Sequence, residues 1–137
     1  MADSSSNIVS LFGRVLLSAI FVFFGFSKIF AFPMFAGMLA SKGFPLATVA
    51  MVVAIAIEVL GGLAILAGFQ TKIVSWIVFL YLIPTTFLFH NFWALQGMAR
   101  MDNMAHFMKN LAIMGALLLL ASNGPGRYSF DARSARV

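Results

Sequence analysis

Cysteine is absent from this 137-residue chain. That removes disulfides, thiol relays, iron–sulfur ligation and covalent c-type haem attachment together. Charge is also scarce: Asp, Glu, Lys and Arg make up 9% of the residues, and only four are acidic. A soluble domain carries roughly 25% charged residues, so this chain cannot cover a water-facing surface of ordinary polarity. No dinucleotide or flavin fingerprint, internal repeat or low-complexity segment is present.

What fills the chain instead is apolar: 62% of the residues, with a mean hydropathy of +1.01. Its apolar runs of about 20 residues match a bilayer core ~30 Å thick at ~1.5 Å of rise per residue. The expected class is therefore an all-α integral membrane protein of one compact domain. The net charge of +5 would suggest nucleic acid in a soluble protein. Here no basic face tracks phosphates, and cations at helix ends and in the tail match topology signals and lipid headgroups. Membrane lipid is the expected partner, and nucleic acid is not. The start, MADSSSN, lacks a basic n-region, and the apolar run after it is too long for a cleaved leader. The expectation is a retained first span.

Four spans are expected, over about residues 8–30, 46–68, 73–92 and 104–122, preceded by a polar segment 1–7 and followed by a basic tail 123–137. In the loop FPMFAGMLASKGFP, Met34, Phe35, Met38 and Leu39 fit a short interfacial helix. Gly68 in the turn GFQTK reads as a C-cap, and Pro84 inside the third span as a kink. Lys72, Arg127, Arg133 and Arg136 fall on the side of the termini, against Lys42 and Arg100 on the other. That imbalance predicts cytoplasmic N- and C-termini.

Two polar groupings stand out against this background. Arg14 lies ~9 Å and Glu58 ~15 Å from the inner ends of their spans. An isolated charge at mid-membrane costs ~2.5–3.5 kcal/mol or more, so a buried Arg14–Glu58 ion pair is the expectation. It would either fix helix register or present a carboxylate that carries a proton or faces a ligand. At the opposite leaflet Lys28, His90, Asn91, His106, Lys109 and Asn110 end or open antiparallel spans and could line one polar mouth. Such a mouth suits a quinone headgroup or a small anion, although interfacial snorkelling explains the same residues. His90 and His106 invite metal or haem, and Met101 and Met104 add thioethers suited to copper. Two histidines without a carboxylate are a weak ligand set, and Met101, Met104 and Met108 also follow an apolar helix face. No intrinsic cofactor is expected. Gly25, Gly61 and Gly62 read as close-packing positions.

These residues also form an ordered set. Arg14 in GRVLL, Lys28 in GFSKI, Glu58 in IEVLGGL, His90 in FLFHNF, Lys109 and Asn110 in HFMKNLAIMG, and the tail NGPGRYSFD resemble the DoxX family over about residues 8–131. The resemblance implies a small four-helix bacterial inner-membrane protein, multi-pass. The family takes its name from a membrane subunit associated with thiosulfate:quinone oxidoreductase, and many relatives are described as quinol oxidase subunits. It therefore implies a redox-associated role, as a quinone-facing or membrane-anchoring subunit of an oxidoreductase complex. Any catalysis would be non-autonomous, since a partner must supply the redox centre. The alternatives are a non-enzymatic scaffold of a larger membrane complex and a small-solute or metal-binding protein. Four helices leave little room for a pore, so a carrier would need a homo-oligomer.

Overall fold

The structure, a computed structural model, describes residues 4–135. Arg136 of the charge count lies outside them, as do the first three residues of the leading polar segment. The chain forms α1 (Ser4–Phe30), α2 (Phe32–Ser41), α3 (Ala47–Ala67), α4 (Thr71–Phe89), a single 3-10 turn (Phe92–Ala94), α5 (Gly97–Asn123) and α6 (Phe130–Ser134). Among the described residues there is no strand, and four helices are long and apolar enough to cross a membrane: α1, α3, α4 with its following turn, and α5. The loop after α1 does form a short helix, α2, with Pro33 in its first turn, where a missing N–H costs nothing.

The distribution of side chains is that of a protein whose solvent is lipid. Leu16, Leu60, Leu119 and Phe30 face outward, whereas Arg14, Ser18, Thr71, Ser75 and Thr86 are among the most deeply buried residues. Lipid tails are as apolar as leucine, so nothing drives leucine inward. Polar groups gather inside, away from the hydrocarbon.

Close backbone approach sets the register of α1 on α3. A methyl group on Gly25 would lie 2.7 Å from Val59 Cγ2 and 3.1 Å from Glu58 Cβ, and one on Gly62 would lie 2.9 Å from Val22 Cγ2. Glycine at these two points therefore levels Gly25 with Glu58 and Gly62 with Val22. Helix α1 packs on α3, α3 on α4, and α4 on α5. A layer of Phe21, Ile65, Val78, Leu82, Met114 and Leu117 joins all four spans at mid-bundle.

This register overturns the expected pairing of Arg14 with Glu58. Arg14 lies eleven residues from Gly25, roughly 16 Å along the helix, and is level with the end of α3. Its Nη1 donates to the carbonyls of Leu66 (2.6 Å) and Ile65 (3.3 Å), and its Nη2 to that of Tyr128. The guanidinium thus caps the negative C-terminal end of α3. The spans are not flush: α1 runs past the α3–α4 turn, and the C-terminal tail packs on the projecting part. Asn7 Oδ1 accepts from the Arg127 N–H (2.8 Å), and Ser10 Oγ donates to the Pro125 carbonyl (2.9 Å).

Asp131 completes this end of the bundle. Its carboxylate accepts from the N–H groups of Gln70 (2.8 Å) and Thr71 (2.9 Å), and its own N–H donates to the Gly68 carbonyl (2.9 Å). It caps the start of α4 from sixty residues away, where Gln70 is held at φ +47. Gly68, the predicted C-cap of α3, has φ +67. Burial pushes the Asp131 carboxyl up. The Thr71 hydroxyl, the two backbone N–H groups and the charge of Arg14 outweigh it and hold the group below the ordinary carboxylate range.

Candidate functional site

A cavity of about 620 Å³ occupies the half of the bundle away from the termini. Its walls are apolar: Phe21, Phe24, Phe35, Met38, Met51 and Leu82 stand around it, with α2 forming part of one side. Its polar side chains gather mainly at two levels, with Thr85 of α4 between them.

The deeper level is the floor. Glu58 is 6% exposed, and both of its carboxylate oxygens are engaged. Oε2 accepts from Lys28 Nζ at 2.7 Å, and Oε1 accepts from the Tyr81 hydroxyl at 2.7 Å. Lys28, three residues beyond Gly25, reaches back along α1 to the level of Glu58, and its ammonium stands 5.8 Å from the centroid of Phe24 and 5.6 Å from that of Phe35. The carboxylate is therefore compensated by one cation and one neutral donor, and the cation by two aromatic faces. Lone pairs on Glu58 and N–H bonds on Lys28 remain available beyond these contacts.

The shallower level is the rim. Lys109, His106, Asn103 and His90 line the cavity there, with Asn110 on the same wall. Lys109 Nζ lies 3.1 Å from His106 Nδ1 and 5.7 Å from the centroid of Phe24. The His90 and His106 rings stack, with centroids 5.2 Å apart and planes at 25°. His90 Nδ1 is buried and has no partner among the described residues. Asn110 Nδ2 donates to Thr86 Oγ1 at 3.1 Å, tying α5 to α4.

Five of the six residues expected at a polar mouth, Lys28, His90, His106, Lys109 and Asn110, thus line one cavity, and Glu58 joins them from below. Asn91 does not line it, because the chain leaves α4 at His90 and turns into the 3-10 segment. Met101 and Met104 are exposed on α5 and stand apart from the cavity. Imidazole lone pairs lie in the ring plane, so two stacked rings do not aim them at a common point. Among the described residues no three His, Asp or Glu side chains gather as a metal site. Tyr81 and Asn103 escaped the sequence reading. The signal for Tyr81 was a phenol inside an apolar span, which demands a buried acceptor.

Known proteins are similar to this chain in sequence. The DoxX family model matches residues 9–91, a range that holds Lys28, Glu58, Tyr81 and His90. The inner membrane protein YphA of Escherichia coli K12 is 36% identical over 92% of this chain and 90% of its own length. The inner membrane protein YqjF of the same strain is 38% identical over 88% of each. A Surfeit locus protein 4 homolog of Schizosaccharomyces pombe is 30% identical over 72% of this chain, which spans 33% of that protein. No solved structure matches the chain. Four apolar spans, a family model covering more than half of the sequence and two inner-membrane relatives aligned along nearly all of it lead to one assignment: the chain is a multi-pass inner-membrane protein and belongs to the DoxX family.

Proposed function

We propose that this DoxX-type protein is the quinone-facing subunit of a membrane oxidoreductase complex, its cavity receiving the headgroup of a membrane-dissolved quinone. The observation that carries the reading is the division of the cavity. Apolar walls enclose about 620 Å³, and polar groups converge mainly at floor and rim. Sites for small organic ligands have this form and fall at about 300–1,000 Å³. A quinone divides in the same way, with two carbonyl acceptors on an apolar ring and tail. Lys28 and Asn103 offer N–H donors to the carbonyls, Glu58 and Tyr81 fix Lys28, and Phe24 and Phe35 flank the ring. With no cysteine and no flavin or dinucleotide fingerprint in the chain, the electron-carrying group belongs to a partner subunit.

The test is titration of the protein in lipid nanodiscs with a short-chain ubiquinone analogue. Saturable binding is expected. Tyr81→Phe, which releases one constraint on Glu58, should weaken it by roughly tenfold, the scale of one lost hydrogen bond. Met51→Trp, which places an indole in the cavity, should abolish it. Partition without saturation, or equal affinity in all three proteins, contradicts the reading and leaves the scaffold role.

A further inference from the structure

Beneath the cavity floor apolar side chains close the bundle. Ile65, Val78 and Leu117 are wholly shielded and form an apolar layer with Met114, and Phe21 and Leu82 of the cavity wall pack onto it, so that every span contributes. Glycines make the layer tight: a methyl group on Gly61 would lie 2.9 Å from Val78 Cγ2, and one on Gly62 3.1 Å from Phe21 Cβ. Glu58 and Ile65 are seven residues apart on α3, and Tyr81 and Ser75 six apart on α4. The layer therefore has a depth of roughly 10 Å. The polar side chains beneath it, Arg14, Ser18, Thr71 and Ser75, are buried, and none of them lines the cavity. Arg14 is committed to the carbonyls of α3 and of the tail.

Above the floor the opposite holds. Polar lining continues from Glu58 and Tyr81 through Lys28 to Lys109, His106 and Asn103 at the rim. A charge or a water chain would thus pass from floor to rim along polar side chains. Toward the termini it would have to cross an apolar layer that offers no hydrogen bond, at a cost of several kcal/mol.

We infer that the cavity is a dead-end site, whose floor exchanges water and protons only with the aqueous face opposite the termini. One chain is then a receptor closed toward the termini and not a conduit for a solute. A headgroup in the cavity takes up or releases protons on that face alone, and any partner that serves the headgroup reaches it from there. The inference goes beyond the quinone reading and holds for any headgroup the floor accepts.

The cysteine-free sequence provides the background for the test. Single substitutions Lys72→Cys, in the first turn of α4 at the termini end, and Arg100→Cys, at the far end, establish the two faces. Thr85→Cys and Met51→Cys, at two positions that line the cavity, report on it, and Ser75→Cys, at a buried position that does not line it, reports on the space beneath the layer. Each full-length protein is treated in intact spheroplasts and in everted membrane vesicles with a membrane-impermeant trimethylammonium methanethiosulfonate. The cavity thiols are expected to label from the face that labels Arg100→Cys and to give no label from the face that labels Lys72→Cys, while Ser75→Cys gives none from the Arg100 face. Cavity thiols that react from the Lys72 face, or from neither face, overturn the inference, as does Ser75→Cys labelling from the Arg100 face. Two cavity positions keep the test decisive if one variant fails to fold. The labelling result is independent of quinone affinity, so this inference and the quinone reading can fail separately.

Discussion

Glu58 is the residue on which the site turns, and its partner differs from the one that sequence spacing suggests. Arg14 and Glu58 are the conspicuous opposite charges of the first two spans, and flush helix ends would bring them within reach. The glycine contacts instead level Glu58 with Gly25, so that Lys28 lies one turn away and Arg14 three turns away. Helix overhang is not written in hydropathy, which reports span length and not relative depth. A double-mutant cycle separates the two pairings. Glu58→Gln should destabilise the protein by about 3–5 kcal/mol, because it leaves a largely buried ammonium without its counter-charge. Lys28→Met in the same chain should recover part of that loss, whereas Arg14→Met should add its own cost independently. Unfolding in detergent measures each value, and coupling of Glu58 to Arg14 but not to Lys28 would contradict the structure. Tyr81 was less legible still, since an aromatic in an apolar run reads as packing until the acceptor beside it is known.

At the scale of elements, the four spans and the short helix α2 follow from hydropathy, turn glycines and Pro33. The gathering of Lys28, His90, His106, Lys109 and Asn110 follows from antiparallel order alone, because consecutive spans bring alternate ends to one leaflet. The tail is different. NGPGRYSFD reads as a helix stop and a polar extension, yet it folds back to cap α4 through the Asp131 carboxylate and to accept, through the Tyr128 carbonyl, from the Arg14 guanidinium that caps α3. Those contacts span more than a hundred residues in one case and sixty in the other, beyond any local pattern. Asp131→Ala should cost about 1 kcal/mol, the usual value of a helix N-cap. The pH dependence has a definite sign. A carboxyl held below its ordinary value contributes stability that is present above the unfolded-state value near about pH 4 and is lost as the pH falls through the folded-state value. Melting temperatures of the parent should fall across that acid range more than those of Asp131→Asn. Equal acid sensitivity in the two proteins would show that the cap carries no linked proton.

For the whole molecule, the two halves of the bundle have different tasks. The half near the termini is consolidated by Arg14, Asp131 and the returning tail, and the half away from them is hollowed around Lys28, Glu58 and Tyr81. Between them lies the apolar layer. A small membrane protein thereby combines a rigid base with a cavity whose polar groups are held in place by one another. Membership of the DoxX family and residence in the inner membrane fit this architecture, and the quinone reading gives the hollow half its use. Photoaffinity labelling tests that use most directly. A photoreactive quinone analogue is activated on the protein in native membranes, and the adducts are mapped by mass spectrometry. Adducts are expected on cavity residues such as Phe24, Phe35 and Met51, suppressed by excess unmodified quinone. Adducts confined to lipid-facing residues such as Leu16, Leu60 and Leu119, and insensitive to competition, would contradict it.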